Sequence, residues 1–235
     1  MAIFVIADLH LSLGVDKPMD IFGGWHDYVE RLEKNWRERI KNEDTVIIPG
    51  DISWGINLSE AKPDFEFLED LPGEKILLKG NHDYWWETKT KLEKFFFENG
   101  FNSLKILFNN HYKYENFGIC GTRGWINEKK GETADKKVLL REAGRLEASI
   151  QSAISENLTP VVFLHYPPIY YNEYNFEMLE VLHKYNIKKC FYGHIHGSAH
   201  NYAIDGVVDG IDFRLISADY LKFVPEDITK VLAGL

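Results

Sequence analysis

Five histidines, three aspartates and one asparagine occupy positions that simple packing does not require: Asp8 and His10, Asp51, Asn81 with His82 and Asp83, His165, and His194 with His196. Each group stands just past a short apolar run: "AIFVIA" (2–7), "TVIIPG" (45–50), "KILLKG" (75–80), "PVVFL" (160–164) and "CFYG" (190–193). A lone Asp or His after a strand is commonly a turn former or a helix cap. Five such segments in one chain call for a shared reason, because an amide, an imidazole and a carboxylate are costly to bury without partners. Asp8-x-His10 and His194-x-His196 add a spacing argument: in extended chain, residues i and i+2 point to the same side, so each pair offers two donors to one point.

Imidazoles, carboxylates and one amide oxygen, with no thiolate, make a ligand set suited to Mn²⁺, Fe²⁺/Fe³⁺, Zn²⁺ or Co²⁺. Calcium prefers all-oxygen sites, and a zinc finger needs paired cysteines. Seven candidate ligands, Asp8, His10, Asp51, Asn81, His165, His194 and His196, are too many for one tetrahedral ion and enough for two. A carboxylate can bridge two metals about 3.5–4 Å apart, the spacing of two-metal hydrolytic sites.

The elements that must position these groups follow from periodicity. The five apolar runs read as strands at 2–7, 45–49, 75–79, 160–164 and 188–192. Amphipathic segments at 28–40, 88–98, 134–156 and 176–185 read as helices, the last with Asn175 as N-cap. Strands alternating with helices predict a largely parallel, helix-covered sheet, and in such sheets the ligand crevice lies outside the strands' carboxyl ends. The runs "LKILF" and "FGIC" lie close together with no helix between them, and 202–219 carries the turn pairs Asp205-Gly206 and Asp209-Gly210. These suggest hairpins, hence a mixed sheet or two sheets, in a layered α/β sandwich forming one domain over 1–235.

The chain of 235 residues is 45% hydrophobic and 27% charged, ordinary for a globular protein. No stretch approaches the roughly 20 apolar residues of a membrane span, and the N-terminus reads as a first strand and not a signal peptide. Cys120 and Cys190 sit in apolar runs and read as reduced core residues, so a cytoplasmic location is expected. A net charge of −9 argues against a nucleic-acid partner, while a small anionic substrate stays open because bound metal inverts the local field.

Together, Asp8-x-His10, Gly50-Asp51, Gly80-Asn81-His82-Asp83, the isolated His165 and Gly193-His194-x-His196 resemble the calcineurin-like metallophosphoesterase signature, in that family's order. The resemblance implies a four-layer αββα sandwich with two mixed β-sheets. It also implies a first metal on Asp8, His10, Asp51 and His196, and a second on Asp51 (bridging), Asn81, His165 and His194. His82 would face the scissile phosphate, with Asp83 orienting its ring. Asp51 is followed by Ile52, Ser53 and Trp54 where the family's protein phosphatases have Asp-Arg, which counts against a phosphoprotein phosphatase. His165-Tyr166-Pro167-Pro168 differs in one position from the His-His-Pro-Pro run of some of its cyclic-nucleotide phosphodiesterases.

The expected chemistry is hydrolysis of a phosphomono- or phosphodiester by metal-activated hydroxide attacking phosphorus, with His82 and Asp83 as catalytic residues and His82 serving the leaving oxygen. Asn81, His82 and Arg123 are candidate substrate contacts. Arg123 could clamp a phosphate or form a plain salt bridge. Trp54, Trp85, Trp86, Tyr166, Tyr170 and Tyr171 could wall the site or pack the core, and the loop 11–24 could cover it. His26, His111, His183 and His200 read as ordinary surface or packing histidines. The alternatives are a non-catalytic metal-binding scaffold on the same fold, against which stands the fully occupied ligand set, and a redox protein, whose helical Glu-x-x-His motifs are absent.

Overall fold

Alternate residues along the parallel strands face two different apolar layers, and that alternation builds the architecture. The computed structural model describes residues 1–125 and 133–234, without the side chains of 133–135. Strands β1 (Ile3–Val5), β2 (Thr45–Pro49), β3 (Glu74–Leu78) and β4 (Leu104–Ile106) run parallel, each beside its predecessor, with α1 (Tyr28–Arg39), α2 (Leu58–Asp70) and α3 (Lys89–Asn99) between them.

A second sheet begins with the antiparallel pair β5 (Tyr112–Tyr114) and β6 (Phe117–Thr122). It continues through α4 (Thr133–Ile154) into β7 (Thr159–Leu164), which lies parallel to β6. A small hairpin, β8 (Ile169–Tyr170) with β9 (Glu173–Tyr174), precedes α5 (Phe176–Lys184). Then come β10 (Lys189–Tyr192), β11 (Gly206–Val208) and β12 (Ile211–Leu215), in the sheet order β11-β12-β10-β7-β6-β5. The chain returns to the first sheet as β13 (Glu226–Asp227), antiparallel to β1, and α6 (Thr229–Leu232) follows. Both large sheets are therefore mixed, the first with one antiparallel edge strand, β13, and the second with two, β11 and β5.

Ile3, Val5, Ile47, Ile76 and Leu78 of the first sheet meet Ile119, Val161, Phe163 and Phe191 of the second in a buried layer between the sheets. The intervening residues Phe4, Val46, Ile48 and Leu77 face α1, α2 and α3, burying Leu32, Trp36, Phe65 and Leu92. Val162, Leu164, Cys190, Tyr192 and Phe213 pack with Leu146, Ile150, Met178 and Leu182 of α4 and α5 on the other side. Helix, sheet, sheet, helix is the four-layer sandwich expected from the sequence. Cys120 and Cys190 both pair in register with Val162, from opposite sides. Two strand spacings put them about 9–10 Å apart, beyond the roughly 7 Å reach of a disulfide, and both are free and buried.

The anticipated strands and helices are present within a few residues of their expected bounds. Asn175 caps α5 by accepting from Met178 N–H at 3.1 Å, and Thr88 and Gly100 cap α3. Two local expectations are corrected. "LKILF" and "FGIC" are not hairpin partners: β4 extends the first sheet, and the chain turns at Asn109, with φ 59°, into the second. Asp205-Gly206 is not a hairpin turn, because 197–202 coils as a 3₁₀ turn and β11 only begins at Gly206; Asp209-Gly210 does join β11 to β12. Helix α2 was not anticipated. Its buried residues Ala61, Phe65 and Leu68 keep helical spacing, but Pro63 and the surrounding acidic residues mask the pattern. Among the described residues no helix is long and apolar enough to cross a membrane.

The two sheets are tied where their parallel strands end. Ala7 N–H donates to Ile216 O at 2.8 Å and Ala218 N–H to Ala7 O at 2.9 Å, and within the second sheet Gly193 N–H donates to His165 O at 3.1 Å. The carboxyl ends of β1, β2, β3, β7 and β10 therefore open onto one place, and the chemistry-bearing residues are the next in the chain.

Candidate metal centre

The chain turns sharply after each of these strands. Asp8, His10, Asp51 and His194 have φ of 60°, 47°, 51° and 72°, the left-handed region that Asp, Asn and His enter more readily than other non-glycine residues. The neighbouring glycines permit close approach. A Cβ on Gly80 would lie 2.1 Å from Asp51 Oδ1, and one on Gly193 would lie 2.5 Å from Asp8 Oδ2.

Two groups of donor atoms result, Asp8 with His10 and His196, and Asp51 with His165 and His194, each converging within 4.8 Å. Asp51 stands between them: its Oδ2 lies 3.7 Å from His10 Nε2 and 3.5 Å from His165 Nε2. Asn81 Oδ1 is 2.7 Å from His165 Nε2. All seven residues named from the sequence as candidate ligands are brought together here.

Hydrogen bonds on the outer side set the ring tautomers. His165 Nδ1 donates to Pro49 O at 3.1 Å, and His196 Nδ1 to Asp219 Oδ1 at 2.9 Å. Each Nε2 is turned inward, as in metal-binding imidazoles oriented by a second partner, and in the neutral His165 ring it is a lone pair. His165 Nε2 then meets an amide oxygen, and His196 Nε2 faces His10 Nε2 at 3.3 Å. Asp8 Oδ2 accepts from His194 N–H at 2.8 Å, whereas its Oδ1 is buried with no hydrogen-bond partner. The His165 lone pair facing the Asn81 amide oxygen, and the orphaned Asp8 carboxylate oxygen, are what a cation would satisfy. On these grounds the residues fit transition-metal ions.

The electrostatics agree. Burial, added to by the charge of Asp51, raises the Asp8 carboxyl well above its usual range; burial also raises Asp51. Burial first, and crowding by neighbouring imidazoles second, lowers His10 and pulls His194 down to about 2. Burial likewise brings His165 to about 3. These three rings are neutral at pH 7, the state that binds metal. In His196 burial opposes protonation, but the Asp219 bond and nearby carboxylates outweigh it and push the ring up to about 8.

His82 stands beside the two groups and outside them. Its ring centroid lies 4.4 Å from Trp54 and 5.6 Å from His10, and its backbone N–H donates to Asp51 Oδ1 at 2.7 Å. Burial and Lys17 lower its pKa against the pull of Asp51. Asp83 does not orient this ring, contrary to expectation. It is fully buried and accepts from the N–H groups of Asp51, Ile52, Ser53 and Gly80 at 2.7–3.3 Å and from Trp85 Nε1 at 3.1 Å. With both oxygens so engaged, Asp83 knits the loop after β2 to the loop after β3. His82 takes its setting from Trp54 and from Tyr84, whose hydroxyl lies 3.5 Å from His82 Nδ1.

Arg123 is also corrected. Its guanidinium lies over Trp125 and 3.8 Å from buried Glu142, which Arg145 and Thr122 also contact. It is the salt bridge and not a phosphate clamp. The aromatic residues divide. Trp54 stacks on His10 with ring centroids 4.9 Å apart, and Tyr166 tilts against His194 at 4.3 Å. Trp85 is core, Trp86 packs against the core, and Tyr171 is exposed against Tyr202. The loop 11–24 does border the site through Met19 and Phe22.

Two residues escaped the sequence reading. Asp219 holds His196, accepts from Gly197 N–H at 2.9 Å, and lies 3.3 Å from His200 Nε2. His200 thus belongs to the site's surround, not to the ordinary packing histidines. Asp219 stands four residues past β12, whose sequence IDFRL alternates apolar and charged residues, so the apolar-run signal of the other site carboxylates is absent there.

Comparison with known proteins agrees with this geometry. An uncharacterized protein, MJ1445, from Methanocaldococcus jannaschii is 30% identical over 90 residues, covering 36% of this chain and 48% of that protein, so the match spans about half the relative's length. Two solved structures share the fold at low identity. A protein of unknown function, AQ665, from Aquifex aeolicus has a TM-score of 0.54 at 15% identity, covering 100% of this chain and 99% of its own. The phosphopantetheinyl hydrolase PptH from Mycobacterium tuberculosis has a TM-score of 0.51 at 13% identity, covering 96% and 95%. Residues 1–198 match the sequence profile of the calcineurin-like phosphoesterases, and the chain belongs to that family.

Proposed function

We propose that this protein hydrolyses small phosphate esters with two transition-metal ions, Mn, Fe or Zn, one held by Asp8, His10 and His196 and the other by Asn81, His165 and His194, with Asp51 common to both. The observation that carries the reading is the place of Asp51 Oδ2, 3.7 Å from a histidine nitrogen of one group and 3.5 Å from one of the other. When bound, such ions make water a competent nucleophile near neutral pH and offset charge on the phosphoryl oxygens.

The protein's own groups do the rest. Pro49 O and Asp219 fix the tautomers that point Nε2 of His165 and His196 inward. His82 is half-buried against Trp54, and its lowered pKa leaves it neutral at pH 7, an N–H donor to the departing ester oxygen. A donor in that role typically contributes about 10²–10⁴-fold. Trp25 and Trp54 close the flank of His10 and keep water from it. The net charge of −9 favours a small substrate over a nucleic acid.

The test is metal-stripped protein reloaded with Mn²⁺, Zn²⁺ or Fe²⁺ and assayed on aryl phosphate mono- and diesters, cyclic nucleotides, phosphopeptides and single-stranded DNA. Turnover of aryl esters that EDTA abolishes is expected. Full activity in protein shown to be metal-free would overturn the reading.

A further inference from the structure

Among the described residues three buried side-chain polar atoms have no hydrogen-bond partner: Asp8 Oδ1, Arg123 Nε and Ser217 Oγ. Arg123 is compensated through Nη2, which faces Glu142. Ser217 has no such compensation. It is fully buried, as are Ile216 and Ala218 on either side of it. A hydroxyl sealed from water without an acceptor costs free energy that an alanine in its place would not, and buried polar groups are as a rule paired. A serine here calls for a reason that packing does not supply.

The register supplies one. Ser217 stands opposite Ala7 in a parallel bridge, with Ala7 N–H bonded to Ile216 O and Ala218 N–H to Ala7 O. Chains so paired run about 4.8 Å apart, and Asp8 is the next residue after Ala7. Burial lifts the Asp8 carboxyl; among the groups that pull against it, after His196, is the Ser217 hydroxyl, which is therefore close by. An orphaned donor and an orphaned acceptor are thus neighbours. The two oxygens of a carboxylate offer about four acceptor positions, and Asp8 spends one on His194 N–H at 2.8 Å. Carboxylates that hold a metal commonly accept hydrogen bonds at the same time.

Two residues further on, Asp219 accepts from His196 Nδ1 at 2.9 Å. The short segment after β12 therefore stands behind both Asp8 and His196, which belong to the same donor group. His165 and Asn81 of the other group are held from the first sheet instead, His165 by Pro49 O and Asn81 through His165.

We infer that Ser217 is a positioning residue for the ion held by Asp8, His10 and His196: its hydroxyl donates to the Asp8 carboxylate when that ion is bound, and steadies the carboxylate as Asp219 steadies the His196 ring. The inference rests on the metal-dependent reading above and adds to it a residue that acts through Asp8 and not on the substrate.

Ser217→Ala removes the hydroxyl and little volume. Calorimetric titration of the metal-stripped variant with Mn²⁺ should show one of two sites weakened tenfold or more. Anomalous scattering from crystals at limiting Mn²⁺ assigns the loss, expected at Asp8, His10 and His196 and not at Asn81, His165 and His194. Urea unfolding of the metal-free proteins separates positioning from plain structure: the variant should match or exceed the wild-type midpoint, because the hydroxyl it lacks is unpartnered there. Wild-type affinity at both sites, or equal losses at both, would overturn the inference and leave the metal-dependent reading standing. A lower urea midpoint in the metal-free variant would make the hydroxyl a structural bond and overturn it as well. Binding of no ion by the wild type would overturn both.

Discussion

Asp219 Oδ1 accepts a hydrogen bond from His196 Nδ1 at 2.9 Å, and this pairing reaches the metal centre from outside the 198 residues that match the family profile. Burial is the largest influence and raises the Asp219 carboxyl, but the bond and charge of His196, with Gly197 N–H and His200, together outweigh it and hold it below its usual value. The carboxylate therefore stays ionised, keeps the proton on Nδ1 and turns Nε2 inward. Loss of such an outer partner commonly costs 10- to 100-fold in metal affinity, so about that loss is expected for Asp219→Ala. Asp219→Asn, which keeps an acceptor, should lose less. Titration of the stripped protein with Mn²⁺ or Zn²⁺ by calorimetry checks this, and wild-type affinity in the alanine variant would refute it.

Asp83 should prove a stability residue. Asp83→Ala leaves four backbone N–H groups and the Trp85 indole without their acceptor. Each orphaned donor costs roughly 1–3 kcal/mol, and with water partly relieving them a total of about 3–5 kcal/mol is expected. That is a large share of a typical domain's stability. Urea unfolding of the metal-free proteins measures it, and a loss under 1 kcal/mol would show that the loops hold together by other means.

His82→Ala should bind metal as the wild type does and turn over slowly. The fall in kcat is expected at about 10²–10⁴-fold for an alkyl leaving group that needs a donor, and smaller for 4-nitrophenolate, which departs readily unaided. Equal losses for both leaving groups would assign His82 to binding alone.

Stability of the metal-free protein should decline between about pH 6.5 and 8.5. Folding raises the His196 pKa to about 8 and raises Asp8 and Asp51 above ordinary carboxyl values. Over this window the native state holds protons that the unfolded chain has released, so stability falls as pH rises. The depressed histidines, His10, His82, His165 and His194, act in the opposite sense, but mainly below pH 6.5, where the unfolded rings take up protons. Saturating Mn²⁺ should reverse the slope, because metal displaces those same protons. Thermal melts at four pH values, in EDTA and in Mn²⁺, decide it; parallel trends in the two would contradict it.

Much of the site was legible because its residues violate the economy of buried chain. Asp8, Asp51, Asn81, His165 and His194 each follow a strand where a plain turn would serve, and they recur on every strand that ends at the cleft. The two-layer alternation of Ile3 and Val5 against Phe4, or Val161 and Phe163 against Val162, was present as unbroken apolar runs, which mark strands buried on both faces. Contacts between distant segments were not legible. Asp83 adjoins His82 in sequence, yet its carboxylate turns toward Ile52 and Ser53, and nothing local in "GNHDYWW" signals that choice. Arg123 finds Glu142 across the second sheet's helix layer, and Asp219 finds His196 only once β12 lies beside β10. Helix α2 shows the converse, where Pro63 hides a pattern that tertiary packing enforces.

The most direct test of the central claim is anomalous scattering from crystals grown in Mn²⁺, with metal content measured on the same preparation. The account predicts two ions per chain about 3.5–4 Å apart, one touching Asp8, His10 and His196, the other Asn81, His165 and His194, with the Asp51 carboxylate shared. No ion at saturating manganese, or ions bound elsewhere with these side chains left apart, would contradict it.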